Sequence, residues 1–149
     1  MKTICVDACF LIGLYDVRDQ YHEEAAAHFA RLFEGEGNRL VVPWPAVYET
    51  FSTRMVRNRA ALALLQRDWR RLAAERRLEL LPDSRFREGV VDECFDELGN
   101  SGHYRALSAV DRVIRRILAD RNLSIHALVT FNTRDFADIC ERFGREIYP

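Results

Sequence analysis

Four oxygen-bearing side chains lie where an apolar segment meets a predicted helix or turn. Asp7 ends the apolar run "ICV", and Asn132 follows the apolar run "ALVTF". Glu49 lies about one turn into a predicted helix, and Asp111 lies near the start of another. In a parallel sheet such positions can converge at the carboxyl ends of the strands. Carboxylates gathered there would repel one another unless a cation joined them, and hard oxygen ligands suit Mg²⁺ or Mn²⁺.

Asp7 and Glu49 also have a purely structural interpretation. Asp7 directly precedes a predicted helix, so its carboxylate could serve only to cap the N-terminus of that helix. On a helical wheel Glu49 points away from the apolar stripe of its own helix, which favours a solvated side chain. That stripe comprises Trp44, Val47 and Phe51. The local pattern leaves both interpretations open.

Asp111 and Asn132 have structural alternatives as well. Ser108 and Asp111 fit the capping box S-x-x-D, and Asp111 could form an ion pair with Arg115 one helical turn later. Asn132 and Asp135 could together cap the short helix predicted after them. Asp135 is therefore a further candidate ligand, but capping is its favoured role.

Short apolar strands alternate with helices along the whole sequence. Strands are predicted at 2–6, 39–42, 78–81, 126–131 and 145–148. Helices are predicted at 8–15 and 21–34, from Pro45 to Met55, around 62–72, from Asp83 or Ser84 to Leu98, around 107–118 and at 135–142, with a loop at 99–104. This alternation is typical of an α/β fold with a mainly parallel sheet and helices on both faces.

The composition fits one ordinary globular domain. The chain has 149 residues and a formal net charge of −1, which alone neither favours nor excludes a nucleic-acid partner. The charge is uneven, because Arg54–Arg77 carries eight arginines against two acids. This basic segment is interpreted either as a solvated helix face or as a surface for phosphate or a protein partner.

Several other classes of site and location are disfavoured. The four cysteines form no CxxC pair and are interpreted as small buried residues in a reducing compartment, and the four histidines show no metal-ligand spacing. No apolar run is long enough for a membrane span, and Asp7 interrupts what could have been a secretory segment. We therefore expect a cytoplasmic protein without a membrane partner. GxGxxG, a P-loop and a D-x-D pair after the first strand are absent, and Lys2 is the sole lysine.

Four segments resemble, in order along the chain, the motifs of PIN-domain nucleases. "ICVDACFLIGLYD" is similar to the first motif, in which an acid ends strand one, and "VPWPAVYETFS" is similar to the second, in which a glutamate follows a short strand. "LSAVDRVIRRILAD" resembles the third, with an aspartate early in a helix. "ALVTFNTRDF" resembles the fourth, a threonine-containing strand end followed by a D-F pair. Together these segments extend over nearly the whole chain.

The resemblance implies a fold and a set of ligands. The fold would be a three-layer α/β/α sandwich, a single domain over residues 1–149, with a central, mainly parallel sheet of about four to five strands. Asp7, Glu49 and Asp111 match the family's metal-binding acids and would bind Mg²⁺ or Mn²⁺. The fourth acid position of the family is Asn132 here, which removes one charge and leaves a second metal position in question.

The resemblance also implies an activity and partners. It points to a metal-dependent endoribonuclease that hydrolyses RNA phosphodiester bonds, similar to the bacterial toxins of the VapC type. Such a toxin would be paired with a cognate antitoxin protein and would form a homodimer. The alternative, suggested by Asn132, is a PIN-like RNA- or protein-binding module whose site has degenerated and no longer catalyses.

Overall fold

A five-stranded parallel sheet forms the centre of the computed structural model, which describes residues 1–99, 102 and 105–149. The strands follow the order β3-β2-β1-β4-β5, and each neighbouring pair is parallel. They are β1 (Thr3–Val6), β2 (Arg39–Pro43), β3 (Leu78–Leu81), β4 (Ala127–Val129) and β5 (Glu146–Tyr148). The predicted α/β class and all five predicted strands are confirmed, and the sheet is parallel throughout.

Helices connect the strands and cover both faces of the sheet. They are α1 (Ala8–Tyr15), α2 (His22–Phe29), α3 (Trp44–Thr50), α4 (Thr53–Arg57), α5 (Arg59–Ala74), α6 (Val90–Asp96), α7 (Ala109–Ala119) and α8 (Ala137–Phe143). A π-helical segment, Ala30–Gly35, extends α2, so the helical stretch predicted at 21–34 is present with a wider last turn. Within the residues that the structure describes, no helix has both the length and the apolar character needed to span a membrane.

Two separate hydrophobic cores make the molecule a three-layer sandwich. Ile4 and Val6 of β1 lie in one core with side chains of α1, α2, α3 and α5. Cys5, between them in the sequence, lies in the other core with side chains of α7 and α8. Successive strand residues point to opposite faces, so a sheet buried on both faces needs a continuous apolar run such as this one. The predicted three-layer architecture is confirmed.

Two predicted helix boundaries were wrong. The single helix expected to continue through Met55 is broken after Thr50, and α4 begins at Thr53. The apolar spacing hid this break because Val47 and Met55 both point into the same core. The helix expected from Asp83 or Ser84 begins only at Val90.

The cause of the late start of α6 is a glycine. Gly89 directly precedes α6 with φ of +75°, a left-handed conformation that a helix cannot contain and that glycine adopts without strain. Residues before it form a turn in which Phe86 and Arg87 donate backbone hydrogen bonds to the Asp83 carbonyl. Part of the loop predicted at 99–104 lies outside the described residues.

The strand order fixes where a ligand can bind. The chain proceeds outward from β1 to β2 and β3 on one side, and then returns to place β4 and β5 on the other side. The carboxyl ends of β1 and β4 therefore flank a topological switch point, which is where open parallel sheets bind ligands.

Candidate active site

Asp7 lies at this switch point and also caps a helix. It follows β1 directly, has extended backbone angles and accepts a hydrogen bond at Oδ1 from the backbone N–H of Phe10 at 3.2 Å. Its side chain is buried, with 7% of its surface exposed. The predicted capping role and the predicted place at the sheet edge are thus both present in one residue.

Two further side chains hold the Asp7 carboxylate in place. The Thr130 hydroxyl, just after β4, donates to Oδ2 at 2.5 Å, and the Cys9 thiol lies 2.9 Å from Oδ1. Both groups are held in turn by the backbone, because Asn132 N–H donates to Thr130 Oγ1 and Phe131 N–H donates to Cys9 Sγ. Groups that orient a candidate ligand in this way fix the direction in which its lone pairs point.

Sequence reasoning did not assign these roles. Cys9 was interpreted with the other cysteines as a small buried residue, and Thr130 was noted only as part of a strand-end motif. The available signals were the position of Cys9 in the first turn after Asp7 and the hydroxyl of Thr130 at the end of β4. Neither signal tells which carboxylate is the partner until β4 is known to lie beside β1.

Glu49 and Asp111 reach the same edge from two helices. Glu49 lies on α3 with an exposed side chain that points away from the apolar stripe, as predicted. Asp111 lies in the first turn of α7, where the predicted capping box forms: Ser108 Oγ accepts from Asp111 N–H at 3.0 Å, and an Asp111 oxygen accepts from Ser108 N–H at 3.4 Å. Arg115 binds Asp138 rather than Asp111, with distances of 2.7 and 2.8 Å.

The three carboxylates act on one another electrostatically. Burial raises the pKa of Asp7, and the charge of Asp111 raises it further, while hydrogen bonds from Cys9, Thr130 and Phe10 oppose the shift. The pKa of Glu49 is also raised, first by partial desolvation and then by the charges of Asp111 and Asp7. Folding therefore brings together three acids that are distant in the sequence, in a cluster with mutual repulsion.

Asn132 lies near Asp7 but is occupied with its own turn. Its amide Nδ2 donates to Asp135 Oδ2 at 2.7 Å, and its backbone N–H donates to Thr130. The prediction that Asn132 and Asp135 cap a helix was wrong, because the two side chains bind each other and Asn132 makes no side-chain bond to the helical turn Thr133–Asp135. The following helix, α8, begins at Ala137.

Comparison with solved structures agrees with this topology. The structure is similar to that of VapC20 of Mycobacterium tuberculosis, with a TM-score of 0.60 over 91% of this chain and 94% of that chain, at 18% sequence identity. This chain has the PIN-domain fold. VapC20 is described as a toxin that cleaves the sarcin-ricin loop. No protein-family model and no curated protein matches the sequence.

The acids of this PIN-domain fold suit a hydrated cation. Among the described residues, no three His, Cys, Asp or Glu side chains lie close enough together to form a closed metal site. Mg²⁺ commonly keeps several waters and contacts only one or two carboxylates directly, so it does not need such a site. The donor set of Asp7, Glu49 and Asp111 consists of hard oxygens that repel one another, and this chemistry fits Mg²⁺ or Mn²⁺.

The basic segment of this PIN-domain fold is partly used in structural ion pairs. Four of its eight arginines bind nearby acids within the fold: Arg54 with Asp16, Arg67 with Asp68, Arg71 with Glu34, and Arg77 with Glu75. The other four are exposed on or beside α4 and α5: Arg57, Arg59, Arg70 and Arg76. The segment therefore combines both predicted interpretations, a structural face and a set of accessible cations.

Proposed function

We propose that this protein is a metal-dependent endoribonuclease, acting on RNA in the cytoplasm as the toxin of a toxin–antitoxin pair. The observation that carries the proposal is the cluster of Asp7, Glu49 and Asp111, whose charges raise one another's proton affinity at the switch point of the sheet. The PIN-domain fold and the likeness to VapC20, a cleaving toxin, support it.

The chain supplies ligands and orientation for this chemistry. Asp7 and Asp111 would hold Mg²⁺ or Mn²⁺, with Glu49 bound directly or through a water. When bound, the ion supplies an activated water and polarises the scissile phosphate. Thr130 and Cys9 keep the Asp7 carboxylate fixed, so that no reorganisation is needed when the substrate arrives.

Asn132 bears on the number of ions. An amide oxygen can ligate or hold a water, but it carries no charge, and its amide group is already bound to Asp135. A second ion placed at this position would meet less negative charge than the first. We therefore propose one tightly held cation.

The proposal is tested by incubating structured RNAs with the protein, with and without Mn²⁺. The wild type is expected to cleave only with Mn²⁺, and Asp7→Asn is expected to lose activity at least about 100-fold while keeping its fold, because asparagine also caps helices well. Glu141→Gln, which removes an exposed acid from α8, is the matched control and should keep full activity. Metal-dependent cleavage that survives in Asp7→Asn would contradict the proposal.

A second candidate is a PIN-like RNA- or protein-binding module without catalysis. The substitution of asparagine at the fourth acid position favours it, as does the lack of a closed metal site in the described part of the chain. Calorimetric titration with Mn²⁺ distinguishes the two candidates. Tight, stoichiometric binding supports the nuclease, whereas no binding supports the non-catalytic module.

We further propose a homodimer and a cognate antitoxin as partners. Light scattering after size-exclusion chromatography measures the oligomer directly. Co-expression with the product of the adjacent gene tests the antitoxin, since a true antitoxin would co-purify and would abolish RNA cleavage.

A further inference from the structure

An open groove lies between α3, α6 and α7, and the proposed mechanism does not use it. Its volume is about 380 Å³, within the range of about 300–1,000 Å³ typical of small-molecule sites. Most of its wall is apolar. We call it the apolar groove, and its main apolar residues are Pro45, Tyr48, Val90, Val91, Val110 and Val113.

The apolar groove is continuous with the candidate active site. Glu49 lines it, and so do Ala109 and Val110, which directly precede Asp111 on α7. A group bound in the groove would therefore lie next to the acids that would hold the cation. This position suits a part of the substrate close to the bond being cut.

The side chains of the groove are apolar but accessible. Tyr48 is 72% exposed and Val91 is 61% exposed, while Val90 and Val113 are buried beneath them. The Tyr48 ring contacts Trp44, with 5.5 Å between ring centroids, and is otherwise available on the surface. An exposed aromatic ring above a buried aliphatic floor can stack on a flat, apolar ligand.

The charges around the groove restrict what can bind. On the active-site side the nearest charge is Glu49, which with its neighbouring acids repels phosphate. On the other side Arg87 is the one cation lining the groove in the described structure, and its side chain is 66% exposed and only 4.0 Å from Asp83, at the limit of an ion pair. An RNA strand entering here can gain little from phosphate contacts near the acids, so its uncharged bases must provide the affinity.

We propose that the apolar groove binds an unpaired nucleobase of the RNA next to the scissile phosphate, with Tyr48 stacking on the base and Arg87 contacting the backbone beyond it. This inference rests on the proposed function and adds a specificity site to it. Sequence-selective readers of RNA commonly splay out unpaired bases and stack them on aromatic side chains. The groove would thus restrict cleavage to positions whose neighbouring base can leave its helix.

The test uses short single-stranded RNAs that each carry one fluorescent 2-aminopurine, placed at successive positions, and the non-cleaving Asp7→Asn protein with Mn²⁺. Saturable quenching is expected at one position. Tyr48→Ala should weaken that binding about 5–100-fold, since a stacked base contributes about 1–3 kcal/mol. Tyr48→Phe retains the ring and should restore the affinity, and Val91→Asp should weaken it because it places a charge in the groove.

Phe95→Ala is the matched control. Phe95 is 64% exposed on α6, the helix that carries Val91, but it does not line the groove. A base-binding groove predicts no effect of this change, whereas a protein interface would cover Phe95 together with Val91. Equal loss of binding in Phe95→Ala and Tyr48→Ala, or a dimer that dissociates in Tyr48→Ala, would overturn the inference and assign the groove to a protein partner.

The outcomes separate this inference from the nuclease proposal. If wild-type protein cuts RNA but Tyr48→Ala binds and cuts as well as wild type, the base site is refuted and the nuclease stands. If Tyr48 is required for quenching but the wild type cuts no RNA with Mn²⁺, the base site stands and catalysis is refuted.

Discussion

At the scale of single residues, one carboxylate performs several tasks. Asp7 ends β1, caps α1 and keeps a strained charge near two other acids. The sequence predicted Asp7, Glu49 and Asp111 because each lies at a strand end or in an early helical turn, and because these positions resemble family motifs. It could not predict that Thr130 and Cys9 bind Asp7, since that requires the neighbour relation between β1 and β4.

Loss of the Thr130 hydroxyl should weaken metal binding without removing a ligand. Thr130→Val leaves Oδ2 of Asp7 without its 2.5 Å hydrogen bond, so the carboxylate is free to turn. We expect a loss of about 10–100-fold in Mn²⁺ affinity, the usual effect of removing a group that orients a ligand. Titration calorimetry measures this, and Thr130→Ser, which keeps the hydroxyl, should retain most of the affinity. Equal affinity in Thr130→Val and the wild type would contradict the assigned role.

Asp138 provides a pH-dependent contribution to stability away from the site. Hydrogen bonds from Arg115, and secondarily from Arg105, hold the pKa of Asp138 well below its ordinary value. A carboxyl whose pKa is lowered by folding stabilises the protein above its unfolded-state pKa, and this contribution is lost as the pH falls toward the folded-state value.

Asp138→Asn should therefore destabilise the protein at pH 7 but not in acid. Because the Asp138 side chain is about half exposed, solvent screening limits the expected loss to about 0.5–1 kcal/mol. Urea unfolding at neutral pH and near pH 2 measures the difference between variant and wild type. A difference that stays constant over this pH range would show that the ion pairs do not contribute.

At the scale of elements, the apolar periodicity predicted helix faces better than helix ends. Val47 and Met55 share one core, so their spacing looked like one helix although α3 and α4 are separate. The late start of α6 followed from the backbone of Gly89, whose left-handed conformation is not visible in a hydrophobic pattern. Periodicity reports which side is buried, whereas ends depend on single residues.

The connection from α7 to β4 depends on one arginine. The Arg145 guanidinium donates to the carbonyls of Leu118, Asp120 and Leu123 at 3.2, 3.1 and 3.4 Å, and also to that of Ile125. These carbonyls follow the end of α7 and lead into β4, the strand that positions Thr130. A planar group with five donors can satisfy several carbonyls at once, which an ammonium cannot do.

Arg145→Lys should therefore lower the free energy of unfolding by about 1–3 kcal/mol, because it leaves buried carbonyls without donors. Urea unfolding monitored by circular dichroism gives the value. Arg142→Lys, an exposed arginine on α8, is the control and should change stability by less than about 0.5 kcal/mol. Equal effects of the two substitutions would argue against this role of Arg145.

At the scale of the whole molecule, strand order is what makes the acids neighbours. The sequence predicted five strands and their parallel character, but not that β1 lies between β2 and β4. That order places the end of β1 opposite α3 and α7, so residues 7, 49 and 111 meet although more than a hundred residues separate the first and last. Topology of this kind depends on packing over the entire chain, and no local pattern encodes it.

Bringing like charges together should make the stability of the whole protein respond to a divalent cation. A cation that binds only the folded state adds about 2.7 kcal/mol at a concentration 100 times its Kd, which raises the melting temperature by several degrees in a protein of this size. We expect this rise with Mn²⁺ in the wild type and in Glu141→Gln. Asp7→Asn should lose the rise and should melt no lower than the metal-free wild type, because removing one buried charge relieves the repulsion. Differential scanning calorimetry with and without Mn²⁺ measures both effects, and a rise of the same size in Asp7→Asn would place the cation elsewhere on the protein.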